Sequence, residues 1–300
     1  MGRFIAFLTT AMLLGAPAWA CNIQSHTERT QVATYVSDAL ACLATPPGDF
    51  QFDAALEQSF VDMINAERRE QGLAPYELRA ELLPAARFQS LDMGSNDFFA
   101  HESLDGRKAA DRIAAFDRSL LAQSIAENLA VSGPVTCELQ NGETVSCLDI
   151  PGFQPPTLEE IAEDLHQRLL GSEGHRENIL SDTFTQIAVG VALSESGFYV
   201  TQLFANPIGE LSAPLPTKLE VNTDIDIEPN LVGWKLGAYM VQDVEDARGD
   251  SLQTAKPGEK RLVVVGVNQY EETDGGRTTM IMDTLELNGP AFTLVEATGS

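Results

Sequence analysis

Three short polar stretches hold most of the residues able to do chemistry. "FFAHESLDGR" contains His101, Ser103, Asp105 and Arg107. "SIAENLA" contains Glu127 and Asn128, and "GSEGHRENIL" contains Ser172, Glu173, His175, Arg176, Glu177 and Asn178. Two histidines and a carboxylate from separate segments make the ligand set of an open zinc-type site with room for water. A His and a Glu can equally serve as an acid–base pair. Each stretch also has an ordinary role. Ser172 stands where an N-cap is wanted, with Glu173 in the first turn, where the helix dipole favours a negative charge. Asp105-Gly106 is a turn dipeptide.

Other chemistries find no support. No G-x-S-x-G, H-E-x-x-H or phosphate-binding loop occurs. Ser172 and His175 lie three apart on one turn, so capping accounts for Ser172 better than nucleophilic attack. Lys plus Arg number 19 against 44 Asp plus Glu, a formal charge of −25. That field repels nucleic acid and anionic headgroups and favours cations.

The elements that must position these residues come next. A chain of 300 residues suits two domains. Residues 1–20, "MGRFIAFLTTAMLLGAPAWA", have a positive start, a short apolar run and an Ala18-Trp19-Ala20 cleavage site, which reads as a secretory signal peptide. The mature chain then begins at Cys21. Lipid anchoring there usually wants Leu where Ala18 stands, so it is the lesser alternative. No other segment is long and apolar enough to span a membrane. Cysteines 21, 42, 137 and 147 allow three pairings, and proximity favours Cys21–Cys42 and Cys137–Cys147. The second pair encloses a hairpin turned at Asn141-Gly142.

Residues 21–50 form an N-terminal segment ending in the linker-like "ATPPGDF". Leu56, Phe60, Met63 and Ile64 recur at helical spacing, with Gly72 as the stop. A second helix starts near Leu82 or Leu83, since Pro84 fits only a first turn, and a third covers Arg107 to Phe116. "PPTLEEIAEDLHQRLLGS" is a helix opened by a Thr157/Glu160 capping box, with Leu158, Ile161, Leu165 and Leu169 inward and His166 on the surface. "IAVGVAL" (187–193) alternates large and small residues, which fits a central strand with something packed close on its small face. Residues 51–207 thus read as an α+β domain. Beyond Pro207, "GELSAPLPT" reads as a linker. Residues 208–300 are thus a linker followed by a small all-β module over 213–300, with a long hairpin turned at Gly275-Gly276.

The ordered stretches "INAERREQGLAPYEL", "AARFQSLDMGSNDFFAHESLDGR", "AENLA", "GHRENIL", "FTQIAVGVAL" and "FYVTQLFA" resemble the CAP superfamily. This group comprises cysteine-rich secretory, antigen 5 and pathogenesis-related 1 proteins, and the likeness is to its bacterial SCP-like extracellular branch. It covers about residues 55–206. The resemblance implies an α-β-α three-layer sandwich whose cleft gathers two His and two acidic residues, the two His able to hold zinc or a similar divalent metal. His101, Glu127 and His175 fall on three of the four positions. Ser172 falls where the fourth, a Glu, would stand, and the adjacent Glu173 is unassigned. An inherited acid–base mechanism is therefore incomplete. The leading expectation is an exported binding protein, periplasmic or extracellular, for an unknown protein, lipid or cell-envelope ligand. Its cleft holds a metal on His101 and His175, with Glu127 and Asn128 accessory. The alternatives are a metal-assisted, peptidase-like hydrolase using Glu127 as base, and a scaffold whose β-module does the recognition.

Overall fold

The computed structural model describes residues 21, 28–139, 141–223, 227–244, 249–252, 254–274 and 277–297. Residues 1–20, read above as a signal peptide, and the expected Gly275-Gly276 turn lie outside these. The chain runs α1 (Val32–Ala44), β1 (Gln51–Phe52), α2 (Ala54–Glu70), β2 (Glu77–Leu78), α3 (Leu83–Ser95), α4 (Ala109–Phe116) and β3 (Leu120–Ser132). A small hairpin follows, β4 (Thr136–Glu138) and β5 (Thr144–Ser146), then α5 (Leu158–Gly171), α6 (Glu173–Ile179), β6 (Gln186–Ser194) and β7 (Gly197–Leu211). The remainder is strand: β8 (Lys218–Glu220), β9 (Pro229–Leu231), β10 (Lys235–Asp243), β11 (Gly249–Asp250), β12 (Gly258–Asp274) and β13 (Arg277–Val295).

Local chemistry sets the helix ends. Asp53 caps α2 by accepting from the Ala55 and Leu56 N–H groups at 2.9 and 3.1 Å. Gly72, at φ 74°, closes it: its N–H donates to Arg69 O, and the Leu73 N–H reaches back to Arg68 O at 2.8 Å. Pro84 sits in the first turn of α3. Thr157 and Glu160 form the expected capping box on α5.

The CAP-like half has three layers. On one face of the sheet, Phe60 and Ile64 of α2 and Leu165 and Leu169 of α5 pack on Ile187, Val189, Val191, Val200 and Phe204. On the other, Ala85 and Ala86 of α3 and Ile113 of α4 pack on Ala188, Leu203 and Ala205. Gly190 shows how close the second layer lies. A Cβ there would stand 2.2 Å from the Arg87 nitrogen and 2.3 Å from the Ala86 carbonyl carbon. α1 covers the flank of α3, with Tyr35 against Phe88 and Phe116. Its far end is tied by the Cys21–Cys42 disulfide. Cys137–Cys147 closes the β4–β5 hairpin, whose turn places Gly142 at φ 80°.

The path of the main sheet is β1-β6-β7-β3-β13-β12-β10-β11, with β2, β8 and β9 pairing off it. It therefore runs on into the C-terminal strands, which corrects one sequence expectation. Pro207 lies inside β7, and the run read as a linker is built in. Leu211 and Leu215 enter a second core with Leu121, Val264, Leu287 and Phe292, and Arg118 donates to the carbonyls of Leu215, Pro216 and Ala291. The chain returns to the sheet instead of leaving it because its apolar residues alternate with the Pro-rich ones. A separate correction is His166, which is 2% exposed rather than on the surface. It belongs to the inward face of α5 with Ala162, Leu165 and Leu169. Leu158, expected inward, is exposed in the first turn.

Candidate functional site

His101 lies in the loop between α3 and α4, and buried polar groups fix that loop. Gln89 Nε2 donates to Ala100 O at 2.9 Å, and Ser103 Oγ donates to Gln89 Oε1 at 2.9 Å. Gly106, at φ 81°, makes the turn, and its N–H donates to Ser103 O. Asp105 accepts from the Arg107 backbone and pairs with its guanidinium. Ser103, Asp105 and Arg107 are all buried, so they build the loop and do not face solvent.

Glu127 and Asn128 are consecutive on β3 and therefore serve opposite faces of the sheet. Glu127 turns toward the α3–α4 side. Its Oε1 is 2.9 Å from His101 Nδ1, and its Oε2 accepts from Arg112 at 2.5 Å. Arg112 is fully buried and also donates to the carbonyls of His101 and Arg107 and to Ser103 Oγ. Asn128, fully buried, turns toward α6. Its Nδ2 donates to His175 O at 3.0 Å and to Gln202 Oε1, and its Oδ1 accepts from Asn178 at 2.8 Å. One strand thus anchors both histidine-bearing segments. Among the described residues, β13 registers with β3 only at Asn288↔Ala122, so β3 is a free edge near residues 127–128 and the two helical layers can meet around it.

The electrostatics follow. Its hydrogen bond to Glu127 holds His101's pKa above the ordinary range, against partial desolvation. His175 is half-buried and moves the other way. Desolvation favours its neutral ring, and the charge of His101 adds to that. Because Nδ1–H donates to the Glu127 carboxylate, a neutral His101 carries its lone pair on Nε2, the nitrogen turned away from Glu127.

Each oxygen of Glu127 has one partner, His101 on Oε1 and Arg112 on Oε2, and together they fix the carboxylate against the His101 ring. Among the described residues no three His, Cys, Asp or Glu side chains group as a metal centre would. Ser172 stands at the N-cap of α6, but its side chain makes no capping bond, and Glu173 is exposed in the first turn. Arg112 escaped the sequence reading. Its signal was a lone charged residue on the apolar face of "AADRIAAF".

Residues 61–204 match the model of the Cysteine-rich secretory protein family, CAP. This region is a CAP domain. The uncharacterized protein YkwD of Bacillus subtilis is 32% identical over 151 residues, covering 50% of this chain and 47% of YkwD. The match therefore spans about half the length of that relative. An extracellular protein containing an SCP domain from Bacillus anthracis aligns with 51% of this chain and 40% of its own, at 22% identity and a TM-score of 0.37. An outer surface protein of Borrelia burgdorferi aligns with 52% of this chain and 98% of its own, at 16% identity and a TM-score of 0.40. The CAP domain carries β3, α6 and the His101 loop, and the strands beyond Leu211 lie outside the matched residues. Among the described residues no helix is long and apolar enough to cross a membrane.

Proposed function

We propose that this is an exported binding protein whose CAP domain holds a divalent cation of the zinc class between His101 Nε2 and His175. The observation that carries this is the chain Arg112–Glu127–His101. A carboxylate on Nδ1 fixes the tautomer and raises the basicity of the opposite nitrogen, as outer-sphere carboxylates do for metal-binding histidines. Two imidazoles suit zinc, and water would complete the shell. A bound ion would act there as a Lewis acid or as a bridge to a ligand's oxygen. The binding reading is favoured over hydrolysis because the Glu127 side chain is 3% exposed and both of its oxygens are already directed at His101 and Arg112. Two disulfides fit an oxidising compartment, and Cys21, paired with Cys42, has no thiol left for a lipid.

Calorimetric zinc titration tests the site. Wild type should bind one ion, His175→Ala should lose most of the affinity, and Glu127→Gln should lose roughly ten- to a hundredfold. Equal affinity in wild type and His175→Ala would end the proposal. Since only neutral imidazole binds metal, affinity should fall as pH drops through the raised pKa of His101.

A further inference from the structure

The far end of the β12–β13 hairpin stands clear of the body. Residues 268–273 of β12 and 277–280 and 282–284 of β13 are exposed, so both faces of the arm meet solvent. Its apolar residues are uncovered: Tyr270 is 44% exposed, Met280 62% and Met282 60%. Both edges are open as well. Among the described residues β10 stops pairing with β12 at Lys235↔Val267, and β3 meets β13 only at Asn288. The arm itself stays paired out to Asp274↔Arg277.

The two edges differ. That of β12 carries Glu271 and Glu272, and such charge discourages strand addition. That of β13 reads "RTTMIMDTL" over 277–285, rich in strand formers, with one base and one acid six residues apart. We infer that β13 is a self-docking edge, where a second copy of this chain adds antiparallel across a two-fold axis at Met280. In that register each Arg277 stands directly opposite Asp283 of the second copy. Thr278 faces Met282, Thr279 faces Ile281, and Met280 faces its own equivalent. Arg277 and Asp283 lie on one face of the arm, as odd-numbered residues of one strand. The two symmetric ion pairs therefore lie on one surface of a continuous four-stranded sheet. Isologous closure satisfies both β13 edges at once and leaves the acidic β12 edges outermost.

Charge reversal tests the register. Sedimentation of wild type from roughly 1 µM to roughly 500 µM should show a reversible monomer–dimer equilibrium, weak as befits a small interface. Asp283→Arg alone and Arg277→Asp alone each place like charges opposite one another and should weaken association at least about tenfold. Mixed together, these two variants are complementary and should form a heterodimer near wild-type strength. Met280→Lys, which sets two lysines together on the axis, should be monomeric. Unchanged circular dichroism would show that each variant is folded. A wild type monomeric throughout, or single variants that dimerise as well as wild type, would overturn the inference. So would a mixture that stays monomeric.

Discussion

Arg112→Met puts the site's architecture to a direct test. Arg112 is fully buried and Glu127's side chain is 3% exposed, so the substitution strands a carboxylate with His101 as its one remaining partner. The carbonyls of His101 and Arg107 and the Ser103 hydroxyl lose a donor as well. Breaking a buried pair from one side costs about 3–5 kcal/mol. Part is recovered, because the Arg112 Nε has no hydrogen-bond partner and its desolvation is relieved. A net loss of about 4 kcal/mol is expected, which lowers Tm by roughly 8–16 °C for a protein of this size. Urea unfolding followed by circular dichroism measures the first effect. NMR titration of the His101 ring measures the second. Arg112's charge now lowers the His101 pKa, so its removal should let His101 titrate at higher pH. A group raised above its unfolded value of 6.5 contributes stability in full below that value and loses it as pH rises through the folded pKa. In the variant that loss should begin later. A destabilisation under about 1 kcal/mol, or a His101 that titrates lower, would refute the buried-pair account.

Three further outcomes are expected. His166 is buried with both ring nitrogens unpartnered and its pKa pushed down to about 4, so His166→Leu should stabilise by roughly 1–3 kcal/mol. Because the folded value is depressed, wild type should lose stability as pH falls from 6.5 toward 4, and the variant should show a shallower loss when unfolding is followed across that window. Gly190→Ala drives a methyl into the α3 backbone, which cannot rotate away, so chemical denaturation should register a loss of roughly 3 kcal/mol. A near-neutral result would mean that α3 is not seated as described. Ending the chain at Pro207 removes the C-terminal apolar partners of Leu121 and the Leu215, Pro216 and Ala291 acceptors of Arg118, so the fragment should bind a hydrophobic dye and melt without cooperativity. A sharply melting fragment would show that the two cores are independent.

Much of this was legible in the sequence because the signals were local. Asp53, Gly72, Pro84 and the Thr157/Glu160 pair act within a turn of where they stand, and the small face of 188–192 announced the tight seat of α3. The resemblance brought His101, Glu127 and His175 into consideration, and the geometry added that Glu127 is bound on both oxygens. What escaped depended on distant partners. Arg112 was indistinguishable from a solvated helix residue until its acceptors, brought in by the loop and by β3, were placed around it. His166 differs from a surface position only by the rotation of α5 against its neighbours. The run after Pro207 looked like a linker because its prolines were visible and the core awaiting Leu211 and Leu215 was not.

One feature of the interior alters how the exterior behaves. Among the described residues, nine basic side chains, Arg29, Arg68, Arg79, Arg87, Arg107, Arg112, Arg118, Lys260 and Arg261, are buried or half-buried in pairs, carbonyl clamps and the seam between the two cores. The rind that water touches is thus more one-sidedly anionic than the composition implies. Such a surface gathers a diffuse cloud of counterions, and divalent ions are drawn into that cloud more strongly than monovalent ones. An ion taken up as proposed by His101 and His175 would then come from an enriched layer rather than from bulk solvent. Raising the ionic strength should thin that layer and slow ion capture without altering any contact at the histidines.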